Sequence, residues 1–251
     1  MAVDRTAEEQ VPLLTTPVAP KLSAAALERQ GFISAKFLKE SGTISASKDG
    51  KNYMNEGDVV YISLKNGDQA AESVKVGDKY SIFVTGRKVK HPVTGDNLGY
   101  MIDILGSLTI TGADKVIEGV IGKTYKEIEL GARIRPYMPP IKEVEITKAE
   151  TSAEGVVVAG LEGIEFMANS DIIYIDKGAK DGLKKGNVLT VYRKAVKAMD
   201  PYKGKKFMLP PEEIGKLVVA QADETTSACI VIGSTTSINR GDLVRTLQTG
   251  K

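Results

Sequence analysis

The amino-acid sequence predicts a mostly β protein: two tandem homologous small β-barrel (SH3-like) modules with long hairpins, preceded by an irregular N-terminal arm. Short runs rich in Val, Ile and Tyr recur from Phe32 onward, separated by Gly, Asp, Asn and Lys, which is the pattern of many short strands. Hardly any segment holds a 3.6-residue period through three turns, so a helix-rich fold is disfavoured. The second half of the chain also repeats the first, and such self-similarity shows which unit was copied.

Residues 1–31 are rich in Ala, Pro, Thr and charge, with Pro12, Pro17 and Pro20 as punctuation, and read as a linker or arm with one helical turn at Ala24 to Arg29. Module 1 is placed at 32–137, with strands expected at Val59 to Leu64, Tyr80 to Val84 and Tyr100 to Ile104. A connector follows at 138–154. It opens on Pro139-Pro140 and is expected to be stiff and exposed, although Val144 to Thr147 has the composition to add an edge strand to either module. Module 2 is placed at 155–247, with strands expected at Val156 to Ala159, Ile172 to Ile175, Val188 to Tyr192, Lys216 to Ala220 and Ala228 to Ile232. Residues 248–251 form a tail.

The repeat is read directly. GTISASKDGKNYMNEGDVVYI, starting at Gly42, lies without a gap on GVVVAGLEGIEFMANSDIIYI, starting at Gly155. Gly42/Gly155, Ala46/Ala159, Met54/Met167, Asp58/Asp171 and Tyr61/Tyr174 are among the identities. With small shifts, Gly77-Asp78 pairs with Gly186-Asn187, His91-Pro92-x-x-Gly95 with Asp200-Pro201-x-x-Gly204, and Gly131 with Gly241; each copy closes on an arginine, Arg135 or Arg245. The order of these features agrees over about 95 residues.

Physical reasons attach to the matched residues. At Gly57-Asp58, Gly77-Asp78 and Gly241-Asp242 an apolar strand follows at once, so glycine can take positive φ while the carboxylate caps backbone N–H groups. Ser170-Asp171, Gly186-Asn187 and Gly131-Ala132 keep at least one member of the pair. The Pro-x-x-Gly segments place Pro early and Gly late, as at a hairpin tip. Tyr61, Tyr174, Phe83 and Tyr192 are assigned to the module cores, the alternative being exposed ligand-stacking platforms.

Composition narrows the function classes. With 34 basic and 32 acidic side chains the net charge is only +2, which disfavours nucleic acid as a partner, because phosphate neutralisation supplies most of such affinity. No stretch approaches the roughly 18–20 apolar residues that span a bilayer. The segment MAVDRTAEEQVPLL has charges where a signal peptide carries its apolar core; either the protein stays in the cytoplasm or the chain is a fragment whose leader lies upstream. The single Cys229 rules out an internal disulfide, and its apolar setting reads as a buried small hydrophobe. His91 is the single histidine, and the repeat puts Asp200 in its place, so it reads as a turn residue rather than a catalytic or metal-binding one. One His and one Cys exclude the common metal sites, no cofactor is expected, and no nucleophile-elbow motif accompanies His91. Gly119-Val-Ile-Gly-Lys-Thr124 ends like a phosphate-binding loop but has Ile117 where the first Gly belongs. The chain is therefore expected not to be an enzyme.

One feature has functional colour. Arg87, Lys88 and Lys90, beside His91, form a basic cluster in the first copy; Arg193, Lys194, Lys197, Lys203, Lys205 and Lys206 form one in the second. Both fall on the same hairpin of the repeat, which would place two positive projections on one protein, able to meet an anionic polymer or lipid headgroups. The alternative is solvated charge that keeps a long hairpin soluble.

The succession Asp-Ile/Val-Ile/Val-Tyr-Ile, Gly-x-x-x-Gly-Asp/Asn, a Pro-x-x-Gly tip, an Ile/Leu-Gly strand and a final Gly-Asp-x-Val-Arg resembles a recurrent bacterial module. It is similar to the C-terminal regions of LysM-containing cell-envelope proteins of Gram-negative bacteria and to the C-terminal domain of flagellar assembly protein T. Asp171 to Gly186, DIIYIDKGAKDGLKKG, carries the resemblance most closely. It implies a periplasmic or envelope-attached, non-enzymatic scaffold with envelope proteins or self-association as partners. Peptidoglycan would be bound through a LysM domain not visible in this chain. The matched positions are turn and core residues, so no binding residue is carried over.

Overall fold

Buried and exposed side chains alternate along the apolar runs, which makes them strands with one face inward, and recurring tight turns curl them into rings. The structure, a computed structural model, describes residues 31–34, 42–64, 74–114, 116–137, 139, 144–195 and 197–247. The first ring contains β2 (Gly42–Ser47), β4 (Val59–Ser63), β5 (Lys79–Lys90), β6 (Asn97–Ala113), β7 (Ile117–Thr124) and β9 (Arg133–Pro136). They pair antiparallel in the order β2-β4-β7-β6-β5-β9 and close through β9 onto β2. The second contains β10 (Glu154–Gly160), β12 (Ile172–Ile175), β13 (Val188–Arg193), β16 (Glu212–Ala222), β17 (Ser227–Ser234) and β19 (Leu243–Thr246). Its closed order, β10-β12-β17-β16-β13-β19, is the first order strand for strand.

The likeness reaches irregularities. The β2–β4 ladder shifts register between Ile44 and Ala46, and the β10–β12 ladder shifts between Val157 and Ala159, the matched residues. In each barrel a two-residue pairing, β3 (Tyr53–Met54) with β8 (Ile128–Glu129) or β11 (Phe166–Met167) with β18 (Ile238–Asn239), sets a Met opposite an Ile. Met54, Ile128, Met167 and Ile238 are all buried in the barrel cores. Among the described residues there is no α-helix, only the 3₁₀ turns Leu161–Gly163 and Ala179–Asp181. The expected helical turn at 24–29 lies outside the described residues.

Strand β6 is longer than its barrel needs. Its first half, paired with the end of β5 on one edge and with β1 (Phe32–Ser34) on the other, forms an arm whose tip is the 91–96 turn. The corresponding hairpin of the second barrel ends in a separate pair, β14 (Lys197–Met199) and β15 (Lys206–Met208). The connector straps onto barrel 2: Val144 packs with Val218, Ala220 and Ile230, and Thr147 makes one parallel bridge to Asn187. That single bridge takes the place of an added edge strand among the described connector residues.

The turns are built as their residues require. Asn55, Lys75, Ala168 and Asn239 each donate their backbone N–H to the carboxylate three residues on, Asp58, Asp78, Asp171 or Asp242, at 2.8 Å. Lys184 donates to Asn187 in the same way. The intervening residue has positive φ, 89° at Gly57 and 74° at Ser170.

The aromatic residues meet the expectation of burial at Phe83 and Tyr174 and correct it at Tyr61 and Tyr192. Phe83 and Tyr174 are buried but on the outer faces of their barrels, Phe83 against Phe32 and Ile102, Tyr174 in the seam between barrels. Tyr61 and Tyr192 are partly exposed. Strand alternation is the cause: Val60 and Ile62, or Ile173 and Ile175, point inward and leave the tyrosine between them outside.

Ser170 carries the one non-glycine positive φ among the described residues, and its side chain is exposed. Ser170→Gly should therefore raise the unfolding free energy by about 0.5–1 kcal/mol. Gly57→Ala, where a Cβ would meet nothing within 4 Å, should lower it by about 1–2 kcal/mol through φ alone. Urea denaturation of both variants measures the two signs.

Candidate functional site

The runs Val156-Val-Val-Ala159 and Ile172-Ile-Tyr-Ile175 are apolar on both faces, so one face fills barrel 2 and the other needs a cover. The arm of barrel 1 supplies it. Ile33, Val89 and Met101 from the arm pack with Val156, Val158, Tyr174 and Ala228 of barrel 2 in one buried cluster. Thr226 Oγ1 donates to Ile33 O at 3.1 Å across this seam.

His91 closes the tip of the arm. Val93 and Thr94 donate their N–H groups to its Nδ1, at 3.2 and 3.1 Å, so Nδ1 is an acceptor and Nε2 carries the proton. That proton is directed at Asp176 Oδ2 of the second barrel, 3.2 Å away. In the second copy Asp200 Oδ1 accepts from Tyr202 and Lys203 N–H at 2.8 and 3.0 Å. The imidazole and the carboxylate are thus equivalent turn caps, and His91 adds a cross-seam donor that Asp200 lacks. Asp176 is held in turn by the Val156 N–H at 2.6 Å.

Arg240 spans the same boundary, its Nε donating to Val158 O at 3.0 Å and its Nη2 to Lys90 O. Farther along, Arg135 of barrel 1 is buried over the Phe32 ring, 4.6 Å from its centre. Burial raises the Asp223 carboxyl above the ordinary carboxylate range, opposed by the hydrogen bond from Gln221 and the positive charge of Arg135. Burial also lowers Arg135, opposed by the Asp223 charge.

The candidate basic residues stand in different surroundings on the two arms. Arg87, Lys88 and Lys90 are exposed on the first arm and, with Arg240, rim a cleft of about 280 Å³ floored by Val89, Val158, Ala159 and Ile164. Glu165 is the one carboxylate on its wall. Gly163, at φ 86°, lies beside the Arg87 guanidinium, which would be in ordinary van der Waals contact with a Cβ there. Arg193 is tied down within barrel 2, donating to Ser237 O at 2.6 Å and lying 3.5 Å from Asp242. Lys194, Lys197, Lys203, Lys205 and Lys206 are exposed on the second arm. Among the described residues none of these five has a carboxylate within the 4.0 Å of an ion pair.

Other singled-out residues have ordinary places. Gly119 to Thr124 lies within strand β7, and Cys229 is fully buried, its thiol pushed far up by desolvation. The sequence reading missed Arg240, Asp176 and Asp223. A usable signal for the seam was present in the outward positions of β10, apolar Val156 and Val158 where the first copy has Thr43 and Ser45. Comparison with protein-family models and with curated protein sequences gives no match to the chain.

Tyr174→Ala removes a wholly buried ring from the seam and leaves both barrel cores intact. It should cost about 3–5 kcal/mol and split one thermal transition into two in calorimetry. For Asp223, the raised native pKa means the folded state binds the proton more readily than the unfolded chain. The associated stability is complete below the ordinary carboxylate range and declines as pH rises through the native value. Asp223→Asn should therefore raise the melting temperature relative to the parent near pH 7 and make no difference near pH 3, checked by melting both proteins across that range.

Proposed function

We propose that this chain is a non-enzymatic interaction scaffold of the Gram-negative cell envelope, the C-terminal portion of a LysM-type peptidoglycan-associated protein. The observation that carries the reading is the seam. Two copies of one barrel are joined through a buried apolar cluster, His91–Asp176 and Arg240, which makes the pair a single spacer rather than beads on a string. The residues shared with the LysM-associated modules build turns and strands of these barrels, and that supports a scaffold role. Envelope proteins or further copies of the chain are the partners this reading needs, with wall attachment left to a LysM domain. Fractionation of Gram-negative cells producing the protein from its chromosomal locus tests compartment. Recovery with the envelope, together with site-specific photo-cross-links to a reproducible envelope protein, is the expected result; a cytosolic protein without cross-links overturns it.

A second reading, direct binding of an anionic polymer through the basic arms, is favoured by the cleft where Arg87, Lys88, Lys90 and Arg240 face one carboxylate, Glu165. Affinity of this kind is local and falls steeply with salt. Charge reversal by Lys88→Glu and Lys90→Glu should abolish low-salt retention on purified peptidoglycan sacculi or on heparin. Retention equal to the parent's would sink it.

A further inference from the structure

The second arm is unlike the first in where it carries apolar residues. Tyr202 at its tip is 97% exposed, and Met199, Phe207, Met208 and Leu209 are 61%, 49%, 55% and 41% exposed. Lys197 pairs with Met208 and Met199 with Lys206 on one face of the hairpin, while Ala198 pairs with Phe207 on the other. Apolar groups therefore surround the arm. Asp200 fixes the turn from within through the Tyr202 and Lys203 N–H groups, so the tyrosine is presented outward by a hydrogen-bonded loop.

We propose that the β14–β15 arm inserts shallowly into an anionic lipid surface. A protein partner would cover one face, as barrel 2 covers Val89 of the first arm while Lys88 and Lys90 stay exposed. Immersion in a fluid apolar phase covers all sides. Lysine stems lie along such a boundary with their ammonium groups among headgroups, and Lys197, Lys203, Lys205 and Lys206 stand where they would meet lipid phosphate. A second copy of the chain fits less well. Face-to-face arms would oppose like charges, and the apolar face of barrel 2 is already covered by the first arm. The matching face of barrel 1 offers Thr43, Ser45, Tyr61 and Ser63, which is largely polar. Strands of this length reach about 10–15 Å including the turn, which suits interfacial burial and falls far short of the roughly 30 Å hydrocarbon core.

This inference deepens the anion-binding reading, on which it rests, by naming a lipid surface as what the second arm meets. The purified chain is sedimented with vesicles of phosphatidylglycerol and phosphatidylcholine in equal parts, with phosphatidylcholine vesicles, and with heparin beads. Binding is expected to the mixed vesicles, weakened on the order of tenfold by Lys203→Glu/Lys205→Glu/Lys206→Glu and likewise by Tyr202→Ser/Phe207→Ser. A Tyr202→Trp variant should show a blue-shifted emission on the mixed vesicles. All these positions are exposed, and an unchanged melting temperature verifies that the variants fold. Binding to heparin but not to mixed vesicles overturns the lipid assignment and leaves the anion-binding reading standing; binding to neither overturns both. Vesicle binding indifferent to Tyr202→Ser/Phe207→Ser overturns insertion. Self-association lost with these same variants, without vesicle binding, assigns the arm to a second copy and also overturns it.

Discussion

A side-chain oxygen accepting the N–H of the residue three positions before it shapes most of this molecule. At Asp58, Asp78, Asp171, Asn187 and Asp242 this bond closes a turn that a backbone bond closes from the other direction, as in Asp58 N–H to Asn55 O at 3.1 Å. The turn is then fixed to a neighbouring strand. Gly57 N–H donates to Ile121 O, and Ile121 N–H donates to Asp58 O. Gly241 and Asp242 repeat this arrangement with Val157, and Gly186 and Asn187 repeat it with Val219. Each turn thereby decides where a strand begins and which strand it lies beside. A barrel closes only when strand register and tilt agree around the ring, so fixing several starts from one side leaves little freedom for the rest. Ala132 has no such side chain, yet its turn keeps the backbone bonds from Ala132 to Glu129 and from Gly131 to Ile44. Position is therefore set by the backbone frame, and the carboxylate makes that frame cheaper to form.

This constraint explains why the fold was legible. Gly-Asp before an apolar run is a local signal, and its recurrence at matched places exposed both the strands and the duplication. Equivalence at Ile44/Val157 even extends to a shared register shift, between Ile44 and Ala46 in one ladder and Val157 and Ala159 in the other. The face on which each aromatic residue would lie was harder to read. Tyr174 follows Ile173 and precedes Ile175, and both isoleucines are inward. Period-two alternation puts the tyrosine outside, but its complete burial depends on Ile33, Val89 and Met101 of an arm far earlier in the chain, and sequence periodicity carries no information about such distant contacts.

The candidate site was legible in parts. Basic residues on corresponding hairpins stood out in the sequence, yet the two hairpins have different surroundings, because Arg193 is spent on Ser237 and Asp242 while Arg87 faces a cleft between barrels. Arg240 could not be paired with Lys90 by inspection, since the contact joins a turn of one barrel to the arm of the other. Asp223 and Arg135 are a similar case: Arg135 marks the end of a repeat and Asp223 lies in no motif, and their effect on one another comes only with burial at the boundary.

Duplication followed by divergence at the arms gives the molecule its polarity. In the first arm the capping residue is His91, which satisfies its turn through Nδ1 and retains a proton for Asp176; Val89 lies beneath it, small enough to fit against Val158. In the second, Asp200 performs the same capping but offers no such proton, and Phe207 occupies the face that Val89 uses. A carboxylate at position 91 would confront Asp176, a like-charge contact across a partly buried seam. The histidine is thus what allows the first arm to turn back onto its own chain. The second arm, built on the same turn with a carboxylate in place of a neutral imidazole at its cap and apolar groups on both faces, has no such covering surface among the described residues. The two arms of a duplicated protein therefore differ in kind: one packs its apolar face against the other barrel, and the other keeps its apolar side chains exposed.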